Sequence, residues 1–178
     1  MRERSASRSQ PARCATIVDV TDTVTHYDAI EAYSEHQSYA PGETAALCVS
    51  TAADRFDVVI ERWGATRDVV WRAEGVPGQE QPTPPDADAA GCRWAPSVEV
   101  PIGIDWRSGF HLVTLHAHGA APDRATGHTG FVVRAGADRR RALLVLATNT
   151  WNAYNDWGGK SLYTGGHEVS FRRPWGRG

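Results

Sequence analysis

Phe56-Asp-Val-Val-Ile-Glu61 decides the fold class. Phe56, Val58 and Ile60 fall on one face of an extended chain and Asp57 and Glu61 on the other, the period-two alternation of a half-buried strand. Strand signals recur on both sides of it. Upstream, Ser38-Tyr-Ala-Pro-Gly-Glu43 supplies a Pro-Gly turn that feeds the run Thr44 to Ser50. Downstream come Asp68-Val-Val-Trp-Arg72, Ser97-Val-Glu-Val-Pro-Ile102, Phe110-His-Leu-Val-Thr-Leu-His-Ala-His118 and Thr129-Gly-Phe-Val-Val-Arg134. The stretch Gly75 to Gly91, dense in Pro, Asp, Gln and Gly, reads as a long surface loop. No segment before Ala142 carries a helical period, so the pattern predicts a mainly β domain over residues 30–136, an immunoglobulin-like sandwich or jelly roll. Residues 1–29, rich at the start in Arg and Ser, read as a disordered lead-in.

Composition narrows the function classes. A chain of 178 residues can bury one ordinary core, or one small domain with pieces of another. A net charge of −2 with 22% charged residues provides no basic field for nucleic acid, and Arg139-Arg-Arg141 reads as a solvated lead into a strand. No apolar run is long enough to cross a bilayer, and no apolar segment follows the polar start to act as a signal peptide, so a cytoplasmic location is expected. Cys14, Cys48 and Cys92 form an odd set without Cys-x-x-Cys spacing, which suggests neither a disulfide framework nor a zinc knuckle; Cys48 reads as a small core hydrophobe.

The run Ala142-Leu-Leu-Val-Leu-Ala147 is apolar on both faces, which suits the first strand of a parallel α/β sheet covered by helices; a last central sandwich strand is the alternative. At the carboxyl end of an α/β strand, side chains project into a ligand crevice, so Asn149, Thr150, Trp151, Asn152, Tyr154 and Asn155 become candidates for a site. A phenol at Tyr154 can donate a hydrogen bond, act as a general acid or, once deprotonated, serve as a hard oxygen ligand for an oxidised metal. A buried tyrosine with a satisfied hydroxyl is the plainer reading of the same residue.

Other constellations carry less. Gly158-Gly-Lys-Ser161 lacks the upstream glycine of a phosphate-binding loop, where Tyr154 stands instead. His116 and His118 share a strand face at a spacing that could hold a metal, with His111 and His128 near in sequence, but without a clear carboxylate or cysteine partner a solvated or hydrogen-bonded sheet face is the plainer reading. No Gly-x-Ser-x-Gly elbow is present, and His167-Glu168 falls short of a zincin motif. Seven tryptophans could form sugar-binding platforms on a sandwich, which keeps a stand-alone module for a carbohydrate or protein partner as the rival function; Trp71, Trp94 and Trp106 read as core or inter-domain anchors.

Thr150-Trp-Asn-Ala-Tyr-Asn-Asp-Trp-Gly-Gly-Lys-Ser-Leu-Tyr163, with Val169-Ser-Phe-Arg-Arg-Pro174 behind it, resembles the large (beta) subunit of the N,N-dimethylformamidase family. Tyr39-Ala-Pro-Gly-Glu43, Gly91-Cys-Arg-Trp94 and Ile104-Asp-Trp-Arg-Ser-Gly-Phe110 resemble the β-sandwich that precedes that family's catalytic domain. The resemblance implies a sandwich followed by a glutamine amidotransferase-like α/β domain, a mononuclear iron held by two tyrosines and a glutamate, and hydrolysis of small amides. It maps one tyrosine ligand onto Tyr154, with Tyr163 as the second choice, and leaves Asn149, Thr150, Trp151, Asn152 and Asn155 as pocket candidates. The family's remaining ligands and its His-x-Glu segment lie beyond the Arg-Pro block. Residues 142–178 are therefore expected to be the start of a truncated catalytic domain, inactive and without iron unless the remainder of that domain or a partner subunit completes it.

Overall fold

The computed structural model describes residues 28–136 and 144–175. In chain order the elements are β1 (Ile30–Ser34), β2 (Ser38–Tyr39), β3 (Thr44–Thr51), β4 (Arg55–Trp63), β5 (Arg67–Pro77), the one-turn helix α1 (Ala87–Ala90), β6 (Val98–Pro101), β7 (Gly109–Ala117), β8 (Thr126–Val133) and α2 (Thr148–Tyr154). The alternation read in Phe56 to Glu61 holds in β4: Phe56, Val58 and Ile60 are fully buried, and they face Ala117, Leu115 and Val113 across the antiparallel pair with β7.

Two sheets result, a three-stranded one in the order β1-β3-β6 and a five-stranded one in the order β2-β8-β7-β4-β5. Ile30, Ala32, Leu47, Val49 and Val100 from the first pack against Phe56, Val58, Ile60, Val113, Leu115 and Phe131 from the second, forming the main core of a mainly β sandwich. At about 25 cal/mol per Å² of apolar area removed from water, this interdigitation is the principal favourable term in the fold. His111 is also on the inner face. It lies between Trp106 and Phe131, with ring centroids 5.3 and 5.7 Å away and nearly parallel planes.

In the smaller sheet, β1 and the second half of β3 are buried on both faces, while β6 keeps Glu99 and Pro101 exposed. Every residue of β1 is buried, because Glu31 and Tyr33, which alternate away from the main core, are covered by a second apolar cluster. That cluster joins Tyr33 and Cys48 of the sheet to Ala87, Cys92, Trp94 and Trp157. The loop after β5 is therefore more than surface chain. It begins at Gly78, three residues later than expected because β5 runs on to Pro77, buries Ala87, and is tied down by Gln81, whose Nε2 donates to Val49 O and Ala95 O. Trp94 is a core anchor as expected, while Trp71 and Trp106 pack half-buried against the main core.

The expectation for Ala142 to Ala147 needs correction. Residues 142 and 143 lie outside the described residues, but 144–147 form no strand, and Leu144 and Val145 are exposed at 63% and 79%. The chain turns directly into α2. The doubly buried strands that suggested an α/β sheet are present elsewhere, in β1 and β3, where residues 78–97 and the segment after α2 supply the outer cover.

Candidate functional site

The segment after β8 has little regular structure of its own, so its geometry rests on specific polar contacts. α2 is under two turns long and has no side-chain N-cap. Its last turn closes through Asn155 N–H donating to Trp151 O at 3.0 Å. The chain then doubles back: Leu162 N–H donates to Ala153 O at 3.1 Å, which brings residue 163 beside residue 154. Ser161 and Thr164 form a local turn in which Thr164 Oγ1 accepts from Ser161 N–H at 2.8 Å and Ser161 Oγ accepts from Tyr163 N–H at 3.2 Å.

These bonds deliver the two tyrosines to one place. Tyr154 and Tyr163 stack with ring centroids 4.1 Å apart and planes 8° from parallel, and both are more than half exposed. The Tyr163 phenol lying against it, through its polar hydroxyl and then its charge, raises the Tyr154 pKa above its ordinary value. The plainer expectation of a buried Tyr154 does not hold; its phenol is at the surface with a second phenol against it.

The other candidates divide into two groups. Asn149, Thr150 and Trp151 are exposed on α2, and Thr150 lies one helical turn before Tyr154, on the same face. Trp151 meets Trp175 edge-on at 6.3 Å. Asn152 and Asn155 are buried instead, and their amides brace the loop: Asn152 Nδ2 donates to Val169 O, while Asn155 Nδ2 donates to Pro174 O and its Oδ1 accepts from Trp157 N–H.

Three residues that composition and spacing did not single out hold the loop in place. Trp157 is fully buried in the second cluster, edge-on to Trp94 at 5.7 Å, and its Nε1 donates to Glu31 Oε1 of β1 at 2.9 Å. Arg173 is fully buried, with its guanidinium donating to main-chain carbonyls on either side of the tyrosine turn. Main-chain bonds from Cys92 N to Arg172 O and from Ser170 N to Asp88 O complete the docking, and Gly91, at φ +85°, leaves room where a Cβ would sit 2.9 Å from Arg172 O. An arginine within a polar-looking tail and a glutamate within a short apolar strand have no local signature of burial.

Elsewhere, His118 Nε2 lies 2.9 Å from Asp57 Oδ1, and His116 is paired with Asp57 across β4 and β7. Among the described residues, no group of three or more His, Cys, Asp or Glu side chains is arranged to hold a metal. His167 and Glu168 line an open cleft of about 480 Å³ with Asp88 and Lys160. No helix of the described residues is long and apolar enough to cross a membrane.

The profile of the N,N-dimethylformamidase beta subunit-like, C-terminal family matches residues 56–177, from β4 through the tyrosine turn and the Arg173 segment. The chain belongs to that family. No curated protein matches it. The matched span takes in five of the eight sandwich strands, β4 to β8, together with the docked segment that carries the tyrosine turn.

Proposed function

We propose that this chain carries part of the active site of an iron-dependent amide hydrolase acting on small linear amides, with Tyr154 and Tyr163 as two of the iron's oxygen donors. The observation that carries this reading is the stacked phenol pair inside the family-matched span. The donor set fits: two adjacent exposed phenols, both deprotonated on binding, are hard oxygen ligands of the kind an oxidised iron takes. Such a metal would act as a Lewis acid on an amide carbonyl or on water.

Around the pair, Asn149, Thr150 and Trp151 can orient a substrate, the first two by hydrogen bonds to the amide and the indole by apolar contact. Asn152 and Asn155 shape the wall from behind. Two phenols fill only part of an iron's coordination shell, so the further donors belong to the remainder of the catalytic domain or to a partner subunit. The surface is consistent with that arrangement: Leu144, Val145, Trp151, Tyr154, Leu162, Tyr163 and Trp175, most of the exposed large hydrophobic residues of the described chain, fall in residues 144–175. Residues 142–178 then constitute the beginning of the catalytic unit, inactive by themselves, and 30–136 its sandwich platform, in a cytoplasmic enzyme.

The test is a visible tyrosinate-to-Fe(III) charge-transfer band in protein loaded with Fe(III) together with the polypeptide that supplies the further donors. Tyr154→Phe and Tyr163→Phe should each shift or abolish the band and lower amide hydrolysis. A band and turnover unchanged in Tyr154→Phe would refute the assignment.

A further inference from the structure

We propose that Arg173 is the positioning residue of the Tyr154–Tyr163 pair: its guanidinium sets the spacing of the two phenols, while the sandwich only seats the segment that carries them. An arginine side chain has five N–H hydrogens in a planar fork. Here Nε donates to Ser170 O, Nη1 to Trp157 O and Lys160 O, and Nη2 to Asn155 O at 2.7 Å and Asn152 O at 3.5 Å. All five donors are thus directed at main-chain carbonyls, from a side chain with no exposed surface.

The accepting carbonyls are placed so that the fork bridges the turn. Asn152 and Asn155 are the last turn and C-cap of α2, beside Tyr154, where a cation also complements the helix dipole. Trp157 and Lys160 lie along the connection that leads to Tyr163. Clamping both ends of residues 155–160 onto one rigid plane sets where the chain returns to α2 and therefore where Tyr163 meets Tyr154. Lysine, with three donors on a point charge, cannot span the same carbonyls. The Trp157–Glu31 bond serves a different purpose, since it joins the turn to β1 and leaves the internal spacing of the turn untouched.

The importance of this role for catalysis rests on the reading of the phenols as iron donors, but the geometric claim is measured without metal. The experiment is NMR of the metal-free protein, following nuclear Overhauser contacts between the Tyr154 and Tyr163 rings. The parent should show them, and Arg173→Lys should lose them while the amide signals of β3, β4 and β7 keep their dispersion. Arg173→Gln, a second variant with a shorter fork, should behave alike. Retention of the ring contacts in a folded Arg173→Lys or Arg173→Gln protein overturns the proposal. So does loss of sheet dispersion in both variants, which would make Arg173 a residue of global stability. A ferric band that ignored Tyr154 would refute the donor reading and leave this result standing.

Discussion

The seat of the tyrosine segment on the sandwich can be measured through the bond between Trp157 and Glu31. Trp157→Phe removes the indole N–H that Glu31 Oε1 accepts at 2.9 Å, together with part of a fully buried ring. With Trp157 inaccessible and Glu31 only 6% exposed, solvent screens the contact little. A hydrogen bond to a charged group contributes about 1.5–3 kcal/mol. The smaller ring leaves a cavity costing about 1 kcal/mol more. The expected destabilisation is therefore about 3 kcal/mol, a large share of the stability of an ordinary domain. In a Glu31→Met background no buried carboxyl is left without its indole partner, and the same Trp157→Phe change should cost only the cavity part, about 1 kcal/mol. Urea unfolding of the four proteins, followed by far-ultraviolet circular dichroism with unchanged m-values, gives the coupling directly. A coupling of about 1.5 kcal/mol or more supports the seat; equal costs in both backgrounds, within about 0.5 kcal/mol, refute it.

Two further outcomes follow from the same geometry. Gly91→Ala places a Cβ at positive φ and 2.9 Å from Arg172 O, so it should loosen the docked segment, lower the thermal midpoint by a few degrees for each ~1 kcal/mol lost, and diminish the near-ultraviolet signal of Trp94 and Trp157; a variant with the parent's midpoint and spectrum would show that the contact relaxes without cost. Burial holds the His111 pKa below its ordinary 6.5, outweighing the carbonyl of Gly109 and assisted by Arg62. Because the folded value is depressed, the unfolded chain takes up this proton first on acidification. The stability present above about pH 6.5 is then lost progressively as pH falls toward the folded value. His111→Phe keeps an aromatic ring between Trp106 and Phe131 and should flatten this decline, so that the difference in urea midpoint between variant and parent changes from about pH 7 to about pH 5; parallel profiles would refute it.

Much of the sandwich is legible along the chain because its strands alternate. Thr44 to Ser50, Phe56 to Glu61 and Phe110 to His118 each carry inward apolar residues at every second position, and each lies in a strand of nearly the expected extent. The segment Ala142 to Ala147 shows where the same reasoning fails. An apolar run records a need for cover and leaves backbone conformation open; the described residues 144–147 remain irregular, with Leu144 and Val145 exposed and Leu146 only partly covered. Tyr154 and Tyr163 stand out by residue type and by family resemblance, yet eight residues of irregular chain separate them. Their contact depends on the Leu162–Ala153 bond and on the Ser161–Thr164 turn.

Residue order alone thus settles the strand content, the inward faces of β4 and β7 and the kinds of side chain available for chemistry, since each depends on neighbours a few positions apart. The burial of Glu31 and Arg173, the covering of β1 and β3 on a second face and the stacking of the two phenols arise only when distant segments meet. The physical reason is that a charged or hydrogen-bonding side chain can leave water only where fixed partners replace it, and here those partners are Trp157, more than a hundred residues from Glu31, and the carbonyls of a turn that exists only once it is docked.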